Sequence, residues 1–291
     1  MHRNRSRNAL GLAALVAVVV SVAALADGTL VMAFEGMDPH IGQRLELRVV
    51  ARATLAEQAR LTLPAVPMGS FELEIDGLTE GSAYRVDFYV DFDEDGAYDP
   101  PPVDHAWRLE IDALAAGEVL TFAHDTDFTD IAWPPHVDGM IADGEYRNTL
   151  TDRGTGIEVF WQNDGEMIYV GLVSPGTGWV AIGFDPERRM EGANILIAAV
   201  GDGALTIQDH FGTSQTGHRE DAASQIVNAG GTETDGQTIV EFSYPLDTGA
   251  RDDKPLVPGT EVAIILAYHR NSDNLSSIHT ERSSNAILLD D

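Results

Sequence analysis

The sequence predicts an all-β protein made of two β-sandwich domains in tandem. Three observations predict it: apolar residues recur at every second position, glycine-containing turns separate the alternating segments, and no long segment has the 3.6-residue period of a helix. With 291 residues, the chain is long enough for two domains of ordinary size. We therefore expect two hydrophobic cores, one on each side of a proline-rich linker.

Residues 1–26 have the pattern of a secretory signal peptide. Three arginines precede an apolar segment from 9 to 24, and Ala24-Leu25-Ala26 is a small-residue cleavage site. The alternative is an uncleaved membrane anchor, which needs about 20 apolar residues. We expect removal of the peptide, and hence a soluble mature protein that is secreted or periplasmic.

Residues 27–133 are predicted to form the first domain, a small sandwich of unknown role. Leu45, Leu47 and Val49 alternate with charged residues, and the same alternation returns at 71–76 and at 84–92. These segments predict half-buried antiparallel strands. Residues 54–60 are expected to form a short helical turn. Trp133-Pro134-Pro135 is the predicted linker, because consecutive prolines cannot pair in a sheet.

Residues 134–291 are predicted to form the second domain. The polar, glycine-containing segment 209–231 is predicted to form long loops, which commonly carry binding sites. Seven segments have strand patterns: 157–161, 167–173, 179–184, 195–200, 238–244, 262–268 and 286–289.

Composition excludes several classes of partner and cofactor. The chain has 18 basic and 47 acidic residues and a formal net charge of −29, so it would be repelled by the phosphates of nucleic acids. It contains no cysteine, which excludes disulfides, thiolate metal sites, iron–sulfur clusters and covalently attached haem. Any haem must be held without a covalent link.

One stretch carries a family resemblance. An apolar strand pattern, Gly178-Trp179-Val180-Ala181-Ile182-Gly183-Phe184, is followed by a loop with Met190 and by a second apolar segment, 195–200. This combination resembles the DOMON superfamily of haem- or sugar-binding β-sandwiches. The resemblance extends over residues 137–289. Further matching segments are Val137-Asp138-Gly139, Gly144-Glu145-Tyr146, Val159-Phe160-Trp161, Glu241-Phe242, Pro245-Leu246, Ala267-Tyr268, and His279 followed by Arg282.

The resemblance implies a haem site in the second domain. In the haem-binding branch of the family, a methionine after the strand motif and a histidine in a late loop hold the iron; the matching residues are Met190 and His279. Trp179 belongs to the same cofactor-binding set, and His269 is the substitute ligand. Thioether and imidazole fill both axial positions, which suits electron transfer to a redox partner rather than catalysis. The plain alternative is that Met190 fills the core and His279 lies in a solvated loop.

A carbohydrate-binding or adhesion module with calcium-stabilised loops is the alternative function, with a glycan as partner. Trp161, Trp179 and Tyr146 would then be the stacking residues. A sugar platform requires aromatic rings that face solvent, whereas Trp179 lies in an apolar strand and is expected to be buried.

An acidic segment in the first domain resembles the front half of a calcium loop. Asp91, Asp93 and Asp95 alternate before Gly96, and Asp99 follows. An EF-hand is excluded, because the closing glutamate is absent and the flanking segments are strands. The segment predicts either a Ca²⁺ site in a strand-to-strand loop or an acidic, solvated turn.

Three histidines of the first domain are candidate ligands for copper or zinc. His105 and His124 share strand parity with apolar residues, and His40 lies in an early turn. The alternative is that they are ordinary buried, hydrogen-bonded histidines. A copper enzyme that uses these residues is a third possible function. Other catalytic motifs, namely a nucleophile elbow, a phosphate loop and an HExxH motif, are absent from the sequence. We therefore expect a binding or electron-transfer protein rather than an enzyme.

Overall fold

A computed structural model of the chain describes residues 27–291. The predicted signal peptide, residues 1–26, lies outside this range. Strands make up nearly all of the regular structure, and a 3₁₀ turn, Asp38–His40, is the only helical element in the part described. Within these residues no helix has the length and apolar character needed to span a membrane. The predicted all-β fold is confirmed.

The first domain is a sandwich of a three-stranded and a four-stranded sheet that share one core. The sheets have the strand orders β4-β1-β7 and β3-β2-β5-β6. The side of β2 that faces this core follows from the alternating sequence pattern, since Leu45, Leu47 and Val49 are fully buried. The strands are β1 (Asp27–Glu35), β2 (Leu45–Ala51), β3 (Glu57–Leu63), β4 (Phe71–Thr79), β5 (Tyr84–Val90), β6 (His105–Ile111) and β7 (Glu118–Ala123).

The second domain is a larger sandwich with its own core. Its five-stranded sheet has the order β15-β16-β10-β9-β8, and its six-stranded sheet has the order β14-β13-β12-β11-β17-β18. The strands are β8 (Asn148–Thr151), β9 (Glu158–Asn163), β10 (Met167–Ser174), β11 (Val180–Phe184), β12 (Asn194–Gly201), β13 (Ala204–Ser214), β14 (Gly217–Glu220), β15 (Asn228–Thr234), β16 (Gln237–Pro245), β17 (Glu261–Tyr268) and β18 (Glu281–Leu288).

Two local predictions are wrong. Residues 57–63 form strand β3, which pairs with β2, instead of the helical turn expected at 54–60. The segment 209–231 contains most of β13 and all of β14, together with the start of β15, instead of long loops. In each case pairing with a neighbouring strand supplies the stabilisation that the local sequence pattern does not indicate.

The outer surface of the four-stranded sheet is covered, although alternation predicts that it faces solvent. Arg48, Asp87 and Arg108 lie opposite one another on β2, β5 and β6 and form a row of ion pairs. Arg48 Nη2 lies 2.9 Å from Asp87 Oδ2, and Arg108 Nε lies 2.6 Å from Asp87 Oδ1. Asp87 is fully buried, so this row is part of the interior of the protein.

The predicted linker contributes to this cover. The Trp133 ring lies 5.0 Å from the Tyr89 ring, and the guanidinium carbons of Arg48 and Arg60 lie 5.5 and 4.8 Å from its centroid. Gln162 of the second domain donates a hydrogen bond of 3.1 Å to the Trp133 carbonyl. The segment is therefore packed between the domains, inside the strand-free span 124–147 that contains our predicted boundary at 133/134.

Candidate functional site

The outer face of the six-stranded sheet in the second domain is apolar and largely buried. It forms a separate hydrophobic cluster, which we call the outer cluster, on the side of the sheet that faces away from the core. Strands β11 and β12 produce this face, because β11 and residues 195–200 of β12 are apolar throughout and are buried on both sides. The buried members are Trp179, Ala181, Ala193, Ile195, Ile197 and Ala199.

Small residues lie beside isoleucines on the floor of the outer cluster. Ala181 and Gly183 lie on β11, with Ala199 on β12 and Ala267 on β17. A Cβ at Gly183 would lie 2.7 Å from Ile265 Cγ1, so a larger residue is excluded there. The cluster is made of apolar residues only, which suits an apolar ligand.

Met190 approaches this face from the loop between β11 and β12. Its side chain packs against the outer cluster. Its carbonyl accepts a 3.1 Å hydrogen bond from Ala193 and passes so close to Gly212 on β13 that any side chain at Gly212 would overlap it. Met190 is half-buried, so it lies at the edge of the cluster rather than inside it.

His279 belongs to the loop that covers the face from the other end of β11. This loop, residues 269–280, is held down by Trp179, whose backbone N–H donates to Ser272 O at 3.0 Å and whose indole N–H donates to Ser277 Oγ at 2.9 Å. Leu275 of the same loop packs on the outer cluster. Burial lowers the pKa of the half-buried His279, and the nearby charge of Arg282 lowers it further.

The residues present fit haem in chemistry, although the space above the floor is filled. Met190 and the loop of His279 reach the same apolar face, and thioether and imidazole are both iron ligands. Trp179 and Leu275 close the face, so a macrocycle requires displacement of the loop 269–280.

The substitute ligand His269 is tied to the backbone. Its N–H donates to the Trp179 carbonyl at 2.8 Å, and its ring Nδ1 accepts a 3.2 Å hydrogen bond from Asn271 N–H. Only Nε2 of His269 is free to bind a ligand.

The aromatic residues proposed as a sugar platform are buried. Trp161 is 7 % exposed, Trp179 4 % and Tyr146 8 %. The Trp161 indole donates to Leu288 O at 2.8 Å, and the Tyr146 hydroxyl donates to Glu241 Oε1 at 2.7 Å. None of these rings presents the solvent-facing surface that the alternative stacking role requires, and Trp179 is buried as expected.

Sequence reasoning missed a histidine pair beside the outer cluster. His210 of β13 and His218 of β14 lie with their Nδ1 atoms 3.0 Å apart, in a cavity of about 360 Å³ that Leu275 and Ser276 also line. Burial lowers the pKa of both rings. Gln208 and His210 are two positions apart, so in a strand they lie on the same face. This pattern was not recognised because the segment was expected to be a loop.

Part of the acidic loop in the first domain is brought together between β5 and β6. Carboxylate oxygens of Asp91, Asp93 and Asp104 lie within 4.8 Å of one another, as do those of Asp93, Asp95 and Asp99. Asp91 Oδ2 accepts a hydrogen bond of 3.0 Å from Gly96, whereas its buried Oδ1 has no partner. Sequence reasoning missed Asp104, which lies beyond the motif and whose pKa burial raises to about 6.

The three candidate histidines of the first domain converge. His40 Nε2 lies 3.1 Å from His124 Nε2 and 3.3 Å from His105 Nδ1, although the three residues come from a 3₁₀ turn, the end of β7 and the start of β6. His40 is fully buried and the other two are half-buried. Burial lowers the pKa of His40 and of His105.

A second acidic group lies inside the second domain. Asp209, Asp221 and Asp253 have carboxylate oxygens within 4.8 Å of one another. Asp209 is 2 % exposed, and its Oδ1 has no partner, while Oδ2 accepts a 2.9 Å hydrogen bond from Gln225 N–H. Burial raises the pKa of Asp209 to about 7, and Asp253 and Asp221 add to the shift.

Comparisons with known proteins give a family match within the second domain and several similar proteins. Residues 153–269 match the family model described as DOMON domain. The DBH-like monooxygenase protein 1 of Mus musculus is 32 % identical over 111 residues, which cover 38 % of this chain and 18 % of that protein. Its Homo sapiens counterpart is 31 % identical over 121 residues, which cover 42 % of this chain and 20 % of that protein. The match thus spans about a fifth of these relatives.

Three solved structures are also similar. The cytochrome b domain of pyranose dehydrogenase from Coprinopsis cinerea is 11 % identical, covers 48 % of this chain and 80 % of that one, and has a TM-score of 0.38. The cytochrome domain of Myriococcum thermophilum cellobiose dehydrogenase is 12 % identical. The match covers 49 % of this chain and 88 % of that one, with a TM-score of 0.36. A family 9 carbohydrate-binding module from Caldicellulosiruptor kristjanssonii in complex with glucose is 13 % identical. The match covers 54 % of this chain and 92 % of that one, with a TM-score of 0.36.

Proposed function

Because the C-terminal half of this chain contains a DOMON domain, we propose that the protein is an exported b-type cytochrome that carries electrons to a redox partner. The outer face of the six-stranded sheet binds the haem, with Met190 and His279 as its axial ligands. Export rests on the signal-peptide pattern of residues 1–26.

The observation that carries the proposal is the outer cluster. It is an apolar face that the sandwich does not need for its core, since the core lies on the other side of the same sheet. The candidate thioether packs on it, and the candidate imidazole lies in the loop that covers it. A haem bound there supplies one-electron chemistry.

The roles of the residues follow from the ligand types. Met190 offers a soft sulfur and His279 a ring nitrogen, and a group with both axial positions filled has none left for substrate. Ala181, Gly183 and Ala267 would lie beneath a macrocycle once the loop 269–280 has moved aside. Trp179 holds the covering loop through its two hydrogen bonds to Ser272 and Ser277.

Haem reconstitution tests the proposal. We expect the purified protein to take up one haem and to show a low-spin α-band on reduction, and Met190→Ala and His279→Ala to lose that band. Met68→Ala and His136→Ala are matched controls, because both residues are exposed. Absence of the band in the wild type, or its persistence in both ligand variants, contradicts the proposal. Loss of the band in His269→Ala or His210→Ala instead would contradict the ligand assignment.

We also propose that the loop between β5 and β6 binds Ca²⁺. Its support is the unpartnered, buried Oδ1 of Asp91 together with the close carboxylates of Asp93 and Asp104, because such groups repel one another unless a cation neutralises them. Thermal unfolding with and without Ca²⁺ tests it. We expect Ca²⁺ to raise the melting temperature of the wild type but not of Asp93→Asn, with Asp112→Asn as an exposed control. An equal rise in all three proteins, or no rise, contradicts the site.

A further inference from the structure

We propose that the second domain binds one Ca²⁺ ion between Asp209, Asp221 and Asp253, with the side-chain oxygen of Asn194 as a fourth donor. The site borders the core between the two sheets of this sandwich, so it is separate from the calcium loop proposed in the first domain. It does not depend on the proposed haem, which uses the opposite face of the six-stranded sheet.

The three carboxylates are close enough to share one ion. An oxygen of each lies within 4.8 Å of an oxygen of both others. Two oxygens bound to the same Ca²⁺ at about 2.3–2.6 Å are at most about 4.6–5.2 Å apart, when they lie on opposite sides of the ion. The separations of the carboxylates are therefore within the range that one Ca²⁺ ion spans.

Buried oxygen atoms without a hydrogen-bond partner are concentrated here. In the described residues 27–291, seven buried side-chain polar atoms lack a partner, and four of them belong to this group: Oδ1 of Asp209, Asp253 and Asn194, and the hydroxyl oxygen of Tyr244. Asp209 is only 2 % exposed and Asn194 6 %. Because an unpartnered buried polar atom is destabilising, four such oxygens in one place indicate that a cation binds among them.

The strand register directs these side chains to the same end of the core. Asp209 of β13 pairs with Leu196 of β12, and Asn194 lies two residues before Leu196, so all three side chains share the core face of the sheet. Tyr244 approaches from β16 in the opposing sheet. Burial raises the pKa of Tyr244, and the charges of Asp209 and Asp253 raise it further, because both carboxylates lie near its hydroxyl. The Asn194 side chain approaches the same hydroxyl.

The protein holds one oxygen of each inner carboxylate and leaves the other free. Asp209 Oδ2 accepts a 2.9 Å hydrogen bond from Gln225 N–H, and Asp253 Oδ2 accepts one of 2.9 Å from Thr248 Oγ1. The unpartnered Oδ1 atoms are the ones available to an ion. Ligands that are oriented before the ion arrives lose little conformational freedom on binding, which favours affinity.

No basic side chain neutralises the centre of the group. Among the ion pairs of residues 27–291, only that of Arg219 reaches it, with Nη1 3.4 Å from Asp221 Oδ1. Arg219 is 47 % exposed and shares its charge with Asp252, which lies outside the group. Asp209 and Asp253 have no ion-pair partner within this range. Close carboxylates repel one another, and a divalent cation between them removes that repulsion.

The donor types select Ca²⁺ over other metals. Carboxylate and amide oxygens are the ligands of Ca²⁺, whereas zinc and copper sites use nitrogen or sulfur donors. Mg²⁺ requires a near-ideal octahedron and retains several waters, which a group of buried oxygens does not favour. Asp221 and Asp253 are half-buried and leave a path to solvent, and the formal charge of −29 attracts cations.

Calcium titration of chelator-stripped Asp93→Asn tests the proposal, because this change disables the site proposed in the first domain. We expect calorimetry and equilibrium dialysis to give one Ca²⁺ per chain for Asp93→Asn, and one ion fewer for the double variant Asp93→Asn, Asp209→Asn. In the same background, Asn194→Ala should lower the affinity by roughly tenfold or more, whereas Asn194→Asp, which retains an oxygen, should keep the ion. Asp252→Asn is the matched control, since it removes a neighbouring charge outside the group and should retain the ion.

Thermal unfolding gives a second readout. Ca²⁺ should raise the melting temperature of Asp93→Asn, and by more than the same concentration of Mg²⁺ does, but it should not raise that of the double variant. Asp209→Asn removes a buried charge and should fold without metal, so its loss of binding is not a loss of structure.

Three results would overturn the proposal: no binding by Asp93→Asn, equal binding by Asp93→Asn and the double variant, or equal effects of Ca²⁺ and Mg²⁺ on the melting temperature. The first would mean that the carboxylates share a proton instead of an ion. Failure of the site in the first domain has a different signature, namely equal binding by the wild type and Asp93→Asn.

Discussion

Asn228 of the second domain exchanges two hydrogen bonds with the backbone of Glu57 in the first. Glu57 N–H donates to Asn228 Oδ1 at 3.1 Å, and Asn228 Nδ2 donates to the Glu57 carbonyl at 3.2 Å. The amide thus occupies the position of a pairing residue at the start of β3. Arg85 and Glu166, 3.5 Å apart, add an ion pair across the same boundary. These contacts fix the orientation of one sandwich against the other.

Asn228→Ala should weaken the contact between the domains. It removes both hydrogen bonds and leaves two backbone groups of Glu57 without these partners, so we expect the free energy of unfolding to fall by about 1–3 kcal/mol. Urea denaturation measures this loss. Asn271→Ala is the control, since the Asn271 side chain is exposed. Equal stability of Asn228→Ala and the wild type would show that the pairing is not maintained in solution.

Asp87→Asn should be among the most damaging single changes in the first domain. It leaves Arg48, whose side chain is 3 % exposed, buried without its anion. Loss of one partner of a buried pair costs about 3–5 kcal/mol, and we expect a loss of that order in urea denaturation. Asp112→Asn breaks an ion pair with Arg52 in which the carboxylate is 96 % exposed, and it should cost less than about 1 kcal/mol. Similar losses in the two variants would contradict the buried row.

The free energy of unfolding should decrease between about pH 4 and pH 7, because the buried Asp209 carboxyl loses its proton at a higher pH in the folded chain than in the unfolded chain. Its pKa is raised from 3.8 to about 7, so the unfolded chain releases this proton at a lower pH than the folded chain. The folded state is therefore penalised as pH rises through this window, and the penalty is constant above it. Asp209→Asn, which cannot ionise, should be more stable than the wild type at pH 8, by a margin on the order of 4 kcal/mol, and similar at pH 4.

Urea denaturation of both proteins across this pH range, with chelator present, measures that difference. Asp143→Asn is the control, because Asp143 is an exposed carboxylate. A pH-independent difference between Asp209→Asn and the wild type would show that Asp209 titrates near its ordinary pKa.

Gly212→Ala should disturb the loop of Met190. The new methyl group would overlap the Met190 carbonyl, which must move, and overpacking of this kind costs about 1–3 kcal/mol. Gly201→Ala, on the neighbouring strand, is the matched control, since its methyl group meets only the flexible end of Asp273 at 3.3 Å. Thermal unfolding compares the two. A melting temperature of Gly212→Ala equal to that of Gly201→Ala would mean that the loop does not pack as described.

Much of the fold was predictable because most strands carry their own pattern. The DOMON resemblance and the two sandwiches are confirmed, and β9, β10, β11, β12, β16 and β17 lie where apolar segments indicated. Strands β13 to β15 were missed, since they are rich in glycine, threonine and charged residues and depend on pairing with β12 and β16. The burial of Arg48 was missed because it depends on Trp133, far along the chain.

The candidate sites were predictable only in part, for a related reason. Residue types singled out Met190, His279 and the three histidines of the first domain, but sequence spacing cannot show which of them meet. The approach of His40 to His124, 84 residues away, is decided by the pairing of β1 with β7. Asp104 was missed because it joins Asp91 only through the fold of the intervening loop.

The position of β1 has a consequence for biosynthesis. It is the central strand of its sheet, with β4 on one side and β7, the last strand of the domain, on the other. Residues 27–35 therefore leave the ribosome before the other strands of the domain but find their second neighbour only after residues 118–123 have emerged. Until then an apolar strand has an open edge, which favours aggregation. Chaperone protection of the nascent chain is most needed in this interval.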